Sequence, residues 1–416
     1  MQTQLPAGLI GILHHVLKTV SLRKTQRNFL VVILSVYLAV PGRYNAPNLS
    51  RYAGCSDRTI RRWHHRRDDG ALPWWDLHMA VVTTAVRSGL LFPLFLLSID
   101  ASFQRKSGTK TQNIGSFWNG STGRSERGTE LSCCALINVQ MRQVFPIHAQ
   151  QTRPKKECRD RLVQYNDQLD AVLGELEHHP EILLRAVVAD GQYAKDLFVE
   201  TVTGHGFALI SKLQRNANLN YVYDGPDQQR RGPKRKHDGK VTFADLSRFD
   251  VVNESAAERI LTQVVWGVRW KRLLRVVVIQ VLDHHGQVIK YAVLFSTDIT
   301  MSASEVVALY RSRFEIEYVF RDGKQFLGLQ DAQMRTQQAL ESHWNLTLLV
   351  MNLARLEALR ANNGAQTLVF GVEDLKRRAY NALFAQVILV NLGLEARFEE
   401  LIANPSGPLN FGLKAA

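Results

Sequence analysis

The chain has 416 residues, with 52 Lys and Arg against 38 Asp and Glu and a formal net charge of +14. That length accommodates two or three domains around a large buried core, and the basic excess favours a polyanionic partner, nucleic acid before an anionic membrane. The longest apolar run, Phe29 to Val40, is about twelve residues against the roughly 20 that a spanning helix needs, which argues against a membrane protein.

Residues 1 to 88 carry apolar residues every three or four positions, a helical pattern. The stretch NLSRYAGCSDRTIRRWHHR, residues 48 to 66, predicts a short helix after Asn48, a turn at Gly54 and a second helix behind a Ser56 or Asp57 N-cap. That second helix would carry Arg58, Arg61, Arg62, Arg66 and Arg67 around an Ile60 and Trp63 stripe. The pattern is that of a helix-turn-helix with a basic second helix suited to a DNA groove; the alternative is a helical hairpin with a solvated basic face. From residue 90 the texture changes. LLFPLFLLSID is a continuous apolar run ending in Asp100, and ILLRAVVADGQY is a second ending in Asp190; both read as buried strands. Residues 104 to 128 read as a polar, Gly-rich loop, followed by a strand at CCALINVQ, a charged helix over 157 to 178 and a strand at FALISKL (207 to 213). Strands alternating with helices indicate an α/β core. Residues 214 to 300 interrupt it with alternating segments, a mainly antiparallel β insertion. Within the insertion, a Gly/Pro loop places six Lys and Arg between 230 and 240, either a phosphate-contacting arm or a solvated loop. From Ser302 to about 402 the pattern is helical.

The four cysteines form no CxxC pair and have no His at zinc spacing, so they read as reduced thiols. The four His-His doublets, at 14–15, 64–65, 178–179 and 284–285, read as surface residues. No leader-peptide pattern opens the sequence, and the expected location is cytoplasmic, in association with the nucleoid.

The stretch YRSRFEIEYVFRDGK, residues 310 to 324, mixes acids, bases and aromatics. On one continuous helix at about 100° per residue, Tyr310, Arg313, Glu317, Arg321 and Lys324 fall within roughly 80° of one another. Such a stripe serves either as plain salt bridging or as an acid that holds a metal beside a phenol and cations that hold a phosphodiester. Asp100 and Asp190 each end an apolar strand, where ligand sites of α/β sheets collect. With Glu317 they could hold two divalent cations about 4 Å apart, the arrangement used for in-line displacement at phosphorus.

Tyr310-x2-Arg313-x3-Glu317-x6-Lys324 resembles the YREK signature of the DDE transposases of bacterial insertion sequences, the cut-and-paste group. Asp100 and the DGQY of 190 to 193 resemble that family's first and second acidic motifs, and FLGLQDAQMRT resembles the segment after its Glu-bearing helix. The resemblance covers roughly residues 48 to 345. It implies an RNase H-like core interrupted by a β insertion, with helical N- and C-terminal regions: 1 to 88 for DNA binding, 89 to 213 and 301 to 345 for catalysis, 214 to 300 for the insertion, and 346 to 416 as a helical region in which LTLLVMNLARLEAL is either a core helix or a dimer interface. Asp100, Asp190 and Glu317 would bind two Mg²⁺ ions, with Mn²⁺ as a substitute, and Tyr310, Arg313 and Lys324 would grip phosphates of double-stranded DNA. Synapsis of two transposon ends would require a homodimer. The family commonly seals the cleaved end as a hairpin using a Trp in the last strand of the insertion. Tyr291 stands at that position here, either to stack a base or as a core aromatic of an alternating strand, and Phe314 replaces another frequent Trp. The competing readings are a non-catalytic, domesticated DNA-binding protein and another RNase H-like nuclease.

Overall fold

The computed structural model describes residues 7–67, 70–158, 160–226, 234–362, 371–403 and 407–413. Five helices open the chain: α1 (Ala7–Thr19), α2 (Lys24–Ala39), α3 (Ala46–Ala53), α4 (Asp57–His64) and α5 (Trp74–Arg87). Four strands follow, β1 (Leu94–Arg105), β2 (Gly115–Asn119), β3 (Arg124–Asn138) and β4 (Val144–Gln151), then α6 (Arg161–Leu176), β5 (Leu183–Ala189), α7 (Asp196–Gly204) and β6 (Ala208–Lys212). Next come β7 (Leu219–Val222), β8 (His237–Lys240), β9 (Asp250–Glu254), β10 (Glu258–Gly267), β11 (Arg272–Leu282) and β12 (Val288–Ser296). The chain closes with α8 (Ala303–Ser312), α9 (Glu315–Phe326), α10 (Gln337–Ala361), α11 (Val372–Asn391) and α12 (Glu395–Ala403). The fold is mixed α/β with mostly antiparallel strand pairs.

The chain forms two compact units. One comprises Leu94–Asp100 and Leu162–Glu315; the other comprises Met1–Pro93, Ala101–Arg161 and Ile316–Ala416. In the first, β1 pairs in parallel with β5, and β5 in parallel with β6. Antiparallel pairing then runs from β6 to β12, β11 and β10, with β7 and β9 both on β10 and β8 on β7. The parallel strands are apolar on both faces, as the continuous run LFLLSI requires. The basic Gly/Pro loop falls partly on 227–233, outside the described residues; its end, Lys234 to Lys240, leads into and forms β8.

The second unit is built around α10. Residues Leu346 to Leu356 of that helix are buried throughout, packed against α5, β4 and α1. Of the two readings of LTLLVMNLARLEAL, core or dimer interface, the burial is that of the chain's own core. The apolar run Phe29–Val40 lies in α2 and its C-cap and buries against α11, α3 and α10. No helix among the described residues is long and apolar enough to cross a membrane.

Four further expectations are corrected. Strand β1 does not stop at Asp100 but continues to Arg105, because Phe103 and Gln104 are still buried. The expected loop 104 to 128 is loop only at 106 to 114 and turn at 120 to 123; between and after them stand β2 and the start of β3, paired as a hairpin with Phe117 buried and Trp118 exposed on the alternating positions of β2. His64 is buried, not at the surface, with Nδ1 3.0 Å from the Ser342 hydroxyl. Finally, 310 to 324 is not one helix. The backbone N–H groups of Arg313 and Phe314 donate to Tyr310 and Arg311, three residues back, which closes α8 before α9 begins. Neither Gly nor Pro marks the break, so no breaker signal was there to read.

Candidate active site

Asp100 and Asp190 stand on neighbouring parallel strands. Ile99 lies opposite Ala189 in the β1–β5 register, so each aspartate is the next residue beyond a matched pair. The DGQY segment is shaped by its surroundings. The Asp190 carbonyl accepts from the Ser211 hydroxyl and from the Tyr193 N–H, both at 2.9 Å. Gly191 passes so near β6 that a Cβ there would lie 3.0 Å from the Lys212 carbonyl oxygen. Tyr193 is buried against Tyr165 and Phe198, with ring centroids 5.7 and 5.1 Å away. Asp190 is thus held by a backbone turn, a close approach and an aromatic anchor.

Helix α8 carries the next two residues. Ser302 caps it by accepting from the Glu305 N–H. Arg185 of β5 donates from Nε to Glu305 at 2.8 Å and lies 3.5 Å from Asp298, which fixes the start of α8 over β5, β6, β11 and β12. At its far end, Arg313 places a guanidinium nitrogen 3.7 Å from the Asp100 carboxylate, with side chains only 12% and 19% exposed. The same guanidinium lies 5.7 Å from the Tyr310 ring centroid. Asp100, Asp190, Tyr310 and Arg313 all belong to the first unit.

Glu317 and Lys324 belong to the second unit, on α9. That helix buries Ile316, Val319, Phe320 and Gly323, spaced i, i+3, i+4 and i+7. Glu317 and Lys324 are half-buried, and burial lowers the Lys324 ammonium from its ordinary pKa. Arg321 points outward, paired with Asp322 at 2.9 Å. The end of α9 is fastened from two sides: the Phe326 carbonyl accepts from the Tyr44 hydroxyl at 2.8 Å and from Lys376 Nζ at 2.6 Å. Among the described residues, no group of three or more His, Cys, Asp and Glu side chains stands together at metal-ligand spacing.

Helices α3 and α4 meet at Gly54, whose φ of 61° closes α3 in the left-handed region. The first helix begins three residues earlier than expected, because Asn45 caps it by accepting from the Asn48 N–H. Ser56 caps α4 by accepting from Thr59. Ile60, Trp63 and His64 face the core, while Arg58, Arg61 and Arg62 are exposed; Arg61 pairs with Asp57 at 3.2 Å. Tyr291 lies half-buried on β12, with the Arg215 guanidinium 4.6 Å from its ring centroid. Sequence reading missed Arg185, Ser211, Tyr44 and Lys376. None sits in a motif, and their roles come from partners far away in the chain.

A family model described as a transposase DDE domain matches residues 96–353. That span is well over half of the chain and includes Asp100, Asp190, Tyr310, Arg313, Glu317 and Lys324. The chain belongs to the DDE transposase family, whose substrates are DNA. No curated protein matches it. The arginines of α4 lie before the matched span.

Proposed function

We propose that this chain is an insertion-sequence transposase of the YREK group that binds the terminal inverted repeats of its element, cuts the ends and joins them to target DNA. The observation that carries the reading is that Asp100 and Asp190 each follow directly on the matched pair Ile99 and Ala189 of the neighbouring parallel strands β1 and β5, with Arg313 beside Asp100. The parallel β1–β5–β6 set followed by the antiparallel β7–β12 run supports an interrupted RNase H-like core.

The donor set fits a hard divalent cation. Carboxylate oxygens are the ligands Mg²⁺ prefers, and Asp100 and Asp190 each follow one residue of the matched pair Ile99 and Ala189, with an Arg313 guanidinium nitrogen 3.7 Å from Asp100. Asp100, Asp190 and Glu317 would hold the ions. Bound there, Mg²⁺ supplies activation of an attacking oxygen and stabilisation of a leaving one. Arg313 offers a planar fork to a phosphate, Lys324 a point charge and Tyr310 a phenolic donor. Arg58, Arg61 and Arg62 would contact the duplex from α4. Tyr291, with Arg215 against its ring, would stack a base displaced from the end. A homodimer would bring two ends together.

The test uses full-length protein and DNA carrying the element's own ends, with Mg²⁺. Asp100→Ala, Asp190→Ala and Glu317→Ala should each abolish strand cleavage while end binding persists. Near-normal cleavage by any one of them removes that residue from the site.

A further inference from the structure

A cleft of about 610 Å³ opens between α4 and the chain that leaves α9. Asn45 and Arg61 line one side with His65, which follows α4, and Gln333 and Arg335 line the other. Among the described residues, no acidic one is in its lining. The walls are joined by direct bonds. His65 Nδ1 lies 3.3 Å from the Thr336 hydroxyl, and Arg67 Nε donates to the Gln338 side chain at 3.1 Å. The Gln338 amide in turn donates to the Arg66 carbonyl. The Arg335 carbonyl accepts from the Gln112 N–H at 2.7 Å, and the Gln112 side chain accepts from the Gln337 N–H at 2.7 Å. The backbone of Arg335 is therefore fixed, while its side chain is exposed and forms no ion pair among the described residues.

We propose that this cleft takes the sugar-phosphate backbone of duplex DNA, with Arg335, His65 and Arg61 as phosphate contacts. The segment after α9 would then grip the same duplex that α3 and α4 engage. This rests on the reading of α3–α4 as a DNA-binding pair and adds to it a second wall, from the other end of the sequence. The chemistry favours backbone over base edges. An exposed guanidinium and imidazole flanked by Asn45 and Gln333 amides match the groups that bind phosphate and sugar, which set register without reading sequence. A pre-fixed Arg335 backbone limits the ordering that binding would otherwise require.

The experiment measures binding of full-length protein to two labelled duplexes, one of mixed sequence and one carrying the element's ends, across a salt series. Arg335→Ala should weaken both by the same factor and reduce the slope of log K against log salt by about 0.9, one phosphate contact. Arg335→Lys should keep the slope. Gln333→Glu, which places an acid in the cleft, should weaken both duplexes without lowering the melting temperature, and it serves if Arg335→Ala fails to fold. An unchanged slope and affinity in Arg335→Ala and in Arg335→Ala/His65→Gln would overturn the cleft while leaving the α4 reading intact. A loss confined to the element's ends would overturn the backbone assignment. Binding that ignores Arg58→Ala/Arg62→Ala, or absent binding by the unmodified protein, would remove the α3–α4 reading and the cleft with it.

Discussion

Arg313 closes the C-terminus of α8 and sets its guanidinium 3.7 Å from the carboxylate of Asp100. A structural ion pair and a phosphate grip both fit this contact, and they separate on mutation. Lys keeps the charge but loses the planar fork. Arg313→Lys should lower single-turnover cleavage clearly while melting near the unmodified temperature. Arg313→Ala should also destabilise the fold, by roughly 1–3 kcal/mol, the cost of leaving a mostly buried charge without its partner. A Lys variant that melts early yet cleaves at the unmodified rate would leave Arg313 with a structural role alone.

The arginines of α4 call for a test in the whole protein. Ile60, Trp63 and His64 are core residues, and His64 is bonded to Ser342 of α10, so residues 1 to 88 lack their packing partners when cut from the chain. In full-length protein, replacing Arg58, Arg61 and Arg62 with Ala should weaken duplex binding and flatten its salt dependence by up to about 0.9 per lost phosphate contact. Their side chains are exposed, so the melting temperature should hold within about 2 °C. Unchanged binding would remove α4 from the interface.

Much of the fold was legible because it rests on local patterns. The runs ending at Asp100 and Asp190 are apolar on both faces, as buried parallel strands are, and the alternation through 258 to 296 marks the antiparallel strands. The turn at Gly54 and the cap at Ser56 were also visible as residue types. What escaped was decided by distant partners. The break after Arg313 carries no breaker residue. The burial of His64 depends on Ser342, and the fastening of α9 depends on Tyr44 and Lys376. The acidic motifs could be placed on strands, but the register that sets Asp100 level with Asp190 belongs to the β1–β5 pairing.

Gly328 is the point where the chain after α9 presses on Tyr44. A Cβ at 328 would lie 2.3 Å from the Tyr44 ring, and φ is +66°. Gly328→Ala should therefore cost at least about 2 kcal/mol, from the left-handed backbone and the displaced ring together. Tyr44→Phe keeps the ring and loses only the bond to the Phe326 carbonyl, an effect of about 1 kcal/mol. Urea unfolding of the two variants measures both. An Ala variant as stable as the unmodified protein would show that the Tyr44 ring gives way.

Acid should weaken the fold through its buried histidines. Burial holds His64 and His78 down to a pKa of about 3, and His148 and His343 down to about 4, against about 6.5 in an unfolded chain. A depressed histidine pKa means that the unfolded state takes up the proton first. Stability is therefore full above about pH 6.5 and falls as the pH drops towards the folded-state values. At pH 5.5 the four together should remove roughly 5 kcal/mol relative to pH 7.5, before most carboxylates begin to titrate. His205 works the other way, since the hydrogen bonds its ring donates to Asp170 and Glu177 raise its pKa; those carboxylates are well exposed, so its effect is small. Urea unfolding at pH 7.5, 6.5 and 5.5 reads the trend. His343→Asn should flatten it by about one quarter, because the amide takes no proton in this range. A stability that is level from pH 7.5 to 5.5 would mean that these rings are not held neutral in the core.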